Sequence, residues 1–134
     1  MITDSHDHLR HLLAERVMGW EKRTINFADA WCMADRVGNQ IAMWHAEWQP
    51  DVIIEQAMMV KNALVKRGYS FILIDWGIVN QSGYRYSAIF SPMNADMLVG
   101  MSGATEDQGD AFAICLAAIM LYNDEFPVVA GPPA

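Results

Sequence analysis

Cysteine is nearly missing from this chain: Cys32 and Cys115 are the two among 134 residues. Two are too few for a disulfide framework and fit a reducing intracellular compartment. Positive charge is scarce too. Lys and Arg number 9 against 16 Asp and Glu, a formal net charge of −7 with a pI near 4.8. That balance argues against a nucleic-acid polymer or an anionic membrane surface as the main partner. Long apolar runs are lacking as well: the longest, 111–122, is about 12 residues, short of the roughly 20 that cross a bilayer. The opening residues 1–11 carry three histidines and two aspartates, unlike a signal peptide. There is no glycine-rich phosphate loop, no internal repeat and no His-Glu-x-x-His metal motif. These absences point to a soluble, cytoplasmic protein.

What is present is the material for a core. Hydrophobic residues make up 53% and charged residues 19%, outside the range of disordered chains. At this length about two thirds of the unfolded surface can be buried, so one domain folds without staples. That domain is expected over 1–126, followed by a flexible Pro/Gly tail over 127–134. The unusual entries are five Trp and ten Met. So many large apolar side chains on one small domain point to a homo-oligomer.

Three helices are expected. The first is capped by Asp4 or Ser5, carries Leu9, Leu12, Leu13 and Val17 at three- and four-residue spacing, and stops at Gly19. The second begins near Pro50, with Asp51 in its first turn, and ends at Gly68. Ile54, Met58, Lys61 and Val65 mark one side of it, and Ile53, Ala57 and Leu64 widen the apolar face. The third runs from Thr105 or Gln108 to Leu121 and is apolar on nearly every side, so it is the most buried. Strands are expected at 70–75, 84–91 and 95–101. A hairpin is expected between 28–34 and 40–46, around Arg36, Val37, Gly38 and Asn39, with a helix over 27–36 as the alternative. The order helix, two strands, helix, three strands, helix gives an α+β fold: an α/β/α sandwich with a mostly antiparallel sheet covered by three helices.

Three blocks in this order resemble the phage "ABA sandwich" domain family of bacteriophages and prophages. Leu13-Ala14-Glu15-Arg16-Val17-Met18-Gly19-Trp20 is close to the family's opening VAxxVMGW. Trp48-Gln49-Pro50-Asp51-Val52-Ile53 stands where the family has an STDI cap before its helix, with Gln49 and Pro50 replacing its Ser and Thr and Met58 replacing its helix Trp. Ala113-Ile114-Cys115-Leu116-Ala117-Ala118-Ile119 is similar to the closing AICLAAL helix. The resemblance implies an α/β/α sandwich and a phage or prophage accessory protein acting in the host-cell cytoplasm. It implies no catalytic residues.

Each chemical constellation has a plainer reading beside it. His6, His8 and His11 form His-x-His-x-x-His, a spacing able to hold a transition metal, but also what a solvated first turn looks like. Cys115, mid-helix, reads as a small core group, and Cys32 lies beside Trp31 without a neighbouring histidine, although His45 approaches across the hairpin. Asp75, at a strand end, is either a general base or a turn residue accepting backbone hydrogen bonds. Glu106, Asp107 and Asp110 complement a helix N-terminus. Gly100 to Thr105 has loose similarity to an anion nest. No metal, cofactor or catalytic set is expected.

The aromatic residues carry the strongest functional signal. Trp31, Trp44, Trp48, Trp76, Tyr84 and Tyr86 fall in or beside strand segments. A planar ligand can stack on them while Arg36 or Arg85 meets a phosphate, whereas as plain structure they pack the sheet against helices or an oligomer interface. The candidate ligand-binding set is therefore Trp44, Trp48, Trp76, Tyr84, Arg85, Tyr86 and Arg36. The expected function is a non-catalytic counter-defence protein that sequesters a small nucleotide-derived immune signal. The alternatives are a protein–protein inhibitor or adaptor that binds a host protein, and a nucleotide-processing enzyme using Asp75 or His45 as base.

Overall fold

The computed structural model describes residues 5–34, 40–77, 83–92 and 100–122. The cap Asp4, the turn carrying Arg36, the expected strand residues 95–99 and the tail 127–134 lie outside these. The fold is α+β, and the described residues form three α-helices and two three-stranded antiparallel sheets rather than one shared sheet.

Helix α1, Ser5–Leu12, runs on into a single π-helical turn, Leu13–Val17, closed by Met18 N–H donating to the Leu13 carbonyl at 3.0 Å. The wider turn brings Leu12, Leu13, Ala14 and Val17 all inward beside Leu9. Strand β1, Trp20–Ile25, follows at once and pairs residue for residue with β2, Ala28–Met33. Sequence reasoning misses β1 because only Trp20 is buried in it; a solvated edge strand shows no apolar alternation. The β1–β2 turn has both central residues, Asn26 and Phe27, at positive φ (51° and 70°), as a two-residue type I′ hairpin requires. Strand β3, Ile41–Trp44, pairs antiparallel with β2, so the expected hairpin stands and the helical alternative over 27–36 does not. The second arm is shorter than expected, since His45–Glu47 form a 3-10 turn.

Helix α2, Ile54–Lys66, starts later than Pro50 suggests. Pro50 and Asp51 instead occupy a turn in which the Gln49 carbonyl accepts from Val52 N–H (3.0 Å) and Ile53 N–H (2.8 Å). Gln56 locks that turn: its Oε1 accepts from Gln49 N–H at 2.6 Å and its Nε2 donates to the Glu47 carbonyl at 2.8 Å. The buried stripe of α2 is Ala57, Val60 and Leu64. Ala57 and Leu64 belong to the expected apolar face, Val60 lies outside it, Ile54 and Met58 pack half-buried against the core, and Val65 is exposed.

The second sheet joins β4 (Tyr69–Asp75), β5 (Tyr86–Pro92) and β6 (Gly100–Ala104) in that order. Helix α3, Gly109–Ile119, lies against β5 and β6 and is buried on nearly every side, as its composition predicts. Its seat is close. A Cβ on Gly100 would come within 2.1 Å of the Ala117 carbonyl oxygen, and Ser102 Oγ donates to the Ala113 carbonyl at 2.5 Å. Helix α2 packs on α3 and β4, while α1 and its π turn rest against α2, α3 and β1. One core runs through all of these contacts, from Trp20, Trp31 and Trp48 to Phe90 and Ile114.

Candidate ligand-binding site

Helix α1 puts Asp7, Arg10 and His11 on one side, three and four residues apart. That side meets Trp31 of β2 and the 3-10 turn after β3, and the resulting cavity of about 100 Å³ is lined by Asp7, Arg10, His11, Trp31, His45, Ala46 and Trp48. An ion pair anchors it. Asp51, buried in the turn before α2, accepts from Arg10 Nε at 2.5 Å and Nη2 at 3.1 Å, and its other contact is His6 Nδ1 at 2.7 Å. Burial works to raise the Asp51 pKa, but the hydrogen bonds from Arg10 and His6 and the Arg10 charge outweigh it, so the carboxyl sits below its ordinary value.

Two indoles of the cavity differ in kind. Trp48 is 1% exposed, stacks edge-on against Trp20 at 4.8 Å and donates its Nε1–H to the Arg10 carbonyl at 2.9 Å. It is a core residue with a satisfied polar atom. Trp31 is equally buried and lies between His11 (5.1 Å, edge-on) and His45 (5.8 Å), but its Nε1 has no hydrogen-bond partner among the described residues. Beside this cavity opens a recess of about 450 Å³ lined by Ala28, Asp29, Trp44, His45, Ala46 and Glu47. Trp44, 37% exposed, presents its ring there. An adjoining open surface carries Asp7, His8, His11, Lys22 and His45.

The remaining predicted residues gather elsewhere, at one end of the second sheet. Trp76 is 48% exposed and donates Nε1–H to Ser87 Oγ at 3.1 Å. The Tyr84 ring fills the space above Gly103, where a Cβ would meet ring carbon at 2.6 Å. Arg85 donates to Asp75 at 3.0 Å, lies 3.5 Å from Glu106 and covers the Tyr86 ring at 5.2 Å. Its charge is therefore already answered by two carboxylates. Tyr86 alternates with Ser87, so it faces the helices while Trp76 lies on the outer face. Asp75 is held below its ordinary pKa by the Arg85 hydrogen bond and the Gly77 N–H. That makes it the turn acceptor of the two sequence readings and a weak base.

The predicted set is thus divided: Trp44 and Trp48 at the first sheet, Trp76, Tyr84, Arg85 and Tyr86 at the second, and Arg36 outside the described residues. The histidine triplet is divided too, His6 going to Asp51 and His11 to Glu15 at 3.2 Å. Among the described residues no group of three or more His, Cys, Asp or Glu is placed to hold a metal ion. Both cysteines are buried, and burial pushes the Cys115 thiol well above its ordinary pKa, the opposite of an activated nucleophile. The segment read as an anion nest is strand β6 and packs on α3, so it offers no loop of free N–H groups. Sequence reasoning left Asp7, His11, Trp31 and His45 out of the site. The three- and four-residue spacing of Asp7, Arg10 and His11 is the one signal that could have grouped part of it.

No helix of the described residues is long and apolar enough to cross a membrane. Compared with known proteins, the chain matches no family model, no curated protein and no solved structure.

Proposed function

We propose that this chain is a non-catalytic binding protein whose ligand is small and planar, of the nucleotide-derived class, and that it acts by sequestration. The observation that carries the reading is the Trp44 recess, an open, largely apolar space that shares His45 and Ala46 with the smaller, more polar cavity beside it. A ring stacked on Trp44 would leave its polar groups toward the adjoining surface of Asp7, His8, His11 and Lys22, where Lys22 already pairs with Asp29 at 3.6 Å and His11 with Glu15 at 3.2 Å. Arg85, tied to Asp75 and Glu106, is not the phosphate partner in this arrangement. The phage resemblance adds the setting: an accessory protein in the host cytoplasm that removes an immune signal. Calorimetry with a panel of nucleosides, nucleotides and cyclic nucleotides tests it. A saturable heat with one of them, reduced at least tenfold by Trp44→Ala, is the expected result, and silence across the panel removes the reading.

A second reading has its own observation. On the outer face of the second sheet Ile72 and Trp76 are about half exposed, at 54% and 48%, which suits a protein partner, either a host protein or a second copy of this chain. Light scattering that gives a multiple of 15.1 kDa, reverting to the monomer mass in Ile72→Asp, would select the second copy.

A further inference from the structure

We propose that the outer edge of β4 pairs with itself: two copies of this chain join there as antiparallel strands about a two-fold axis at Ile72, so that two three-stranded sheets become one continuous sheet. This deepens the second-copy reading of the outer sheet face and rests on it, naming the strand, its register and its partner.

Strand β4 ends the order β4-β5-β6, and among the described residues it pairs with β5 alone. Helices α2 and α3 pack on its inner face, where Tyr69, Phe71 and Leu73 join the core. Which backbone groups face outward follows from one bond. Trp76 N–H donates to the Arg85 carbonyl at 2.8 Å, and bonds to a given neighbour recur at every second residue of an antiparallel strand. Ile74, Ile72 and Ser70 therefore bond to β5, while Leu73 and Phe71 turn their N–H and C=O groups to the open side. Tyr69 agrees, since the residue opposite it is Pro92, which has no N–H to give.

A long edge with unpaired amides is ordinarily guarded by charge, proline or brevity. The other described edges are guarded: β1 carries Glu21, Lys22 and Arg23, and β3 and β6 are only four and five residues long. Strand β4 has seven residues, and from Tyr69 to Ile74 none is charged and none is proline.

The edge is complementary to itself. Pairing about Ile72 sets Phe71 of each copy against Leu73 of the partner subunit, outward group to outward group, and Ser70 against the partner's Ile74. Ile72, 54% exposed in the single chain, meets the partner's Ile72 at a non-hydrogen-bonded position, where opposite side chains come closest. Charge fixes the direction. The start of β4 follows the exposed Lys66 and Arg67, which have no carboxylate partner among the described residues; Arg67 bonds to carbonyl oxygens and the Tyr122 hydroxyl. The far end holds Asp75 and Glu106 around the single cation Arg85. Antiparallel pairing brings each basic end to the other copy's acidic end, whereas parallel pairing opposes like ends.

The test adds one cysteine to the full chain, whose own Cys32 and Cys115 are buried. Under mild oxidation Ile72→Cys should lock as a covalent dimer. Ser70→Cys and Ile74→Cys should each stay uncrosslinked alone and cross-link when mixed; either one locking alone overturns the register. In the wild-type chain, amide exchange followed by NMR should slow about tenfold or more at Phe71 and Leu73 as the concentration rises. It should stay fast in Ile72→Lys, which sets like charges face to face. A dimer in light scattering that neither locks through Ile72→Cys nor protects these amides joins by the sheet face, which overturns the edge pairing and leaves the second-copy reading standing. A monomer at every concentration overturns both.

Discussion

The two ends of the molecule draw on the same kinds of residue, indoles, an arginine and carboxylates, and arrange them to opposite effect. At the second sheet the described indole and arginine are both answered. Trp76 donates to Ser87, Arg85 bridges Asp75 and Glu106, and Tyr84 fills the place of the missing Gly103 side chain. At the first sheet the anchoring pair of Arg10 and Asp51 is complete, yet the indole beside it is not, and the hairpin leading into β2 carries a second local cost in Phe27 at positive φ. Uncompensated polarity and strain tend to persist where something outside the chain compensates them. A site is better sought in what a region leaves unsatisfied than in how many aromatic residues it holds.

The sharpest way to test that contrast is to crowd the closed region. Gly100→Ala would drive a methyl to within 2.1 Å of the Ala117 carbonyl oxygen, a backbone atom that cannot turn aside. Helix α3 has to shift off β6, at a cost of about 3 kcal/mol or more, the upper range for overpacking. Urea denaturation should show the loss, and a midpoint within error of wild type would mean that α3 is not seated as described. The next effect belongs to the open region. Asp51→Asn leaves the Arg10 guanidinium, 24% exposed, against a neutral amide, and should cost about 2–3 kcal/mol, toward the low end for breaking a buried pair because Arg10 keeps some water. Its pH dependence has a definite sign. The folded Asp51 pKa is depressed, so the stabilisation is fully present above the unfolded value near 3.9 and fades as the pH falls from there through the folded value. Asp51→Asn should flatten the acid limb of the stability curve. An unchanged acid limb would show that the pair contributes nothing.

The contrast was only partly legible in the chain. Helix α3 reads plainly because Ala111 to Ile119 are apolar at almost every position, and no phase has to be chosen. Helix α2 does require a phase, and the expected face, broad enough to hold the buried Ala57 and Leu64, also takes in the exposed Val65 and leaves out the buried Val60. Strand β1 hides because one buried residue makes no pattern. The aromatic residues stand out as a group, but their division is a tertiary fact. Trp44 becomes a recess wall and Trp48 a core residue because three residues of 3-10 turn lie between them. Trp31 acquires its histidine neighbours only where α1 crosses β2 and the turn after β3. The carboxylates around Arg85 illustrate the same limit: a cation that looks available in the sequence is spent on Asp75, at the end of β4, and on Glu106 just past β6.

The smallest effect carries the opposite sign and bears on the hairpin. Phe27 is fully exposed, at 104%, with φ of 70°, so its ring returns no packing for the left-handed backbone it adopts. That conformation costs a residue with a Cβ roughly 1–2 kcal/mol, while a glycine adopts it freely and loses about 0.5–1 kcal/mol through the greater freedom of its unfolded chain. Phe27→Gly should therefore stabilise the fold by about 0.5–1 kcal/mol, read as a higher urea midpoint at unchanged slope. Among the described residues nothing comparable is available at the second sheet, where Gly77 and Gly83 hold the positive-φ positions beside Trp76 and Tyr84. A gain from Phe27→Gly would place the strain in the open region; a loss would mean that the exposed ring packs in solution after all, and the two ends of the molecule would then be more alike than their geometry makes them.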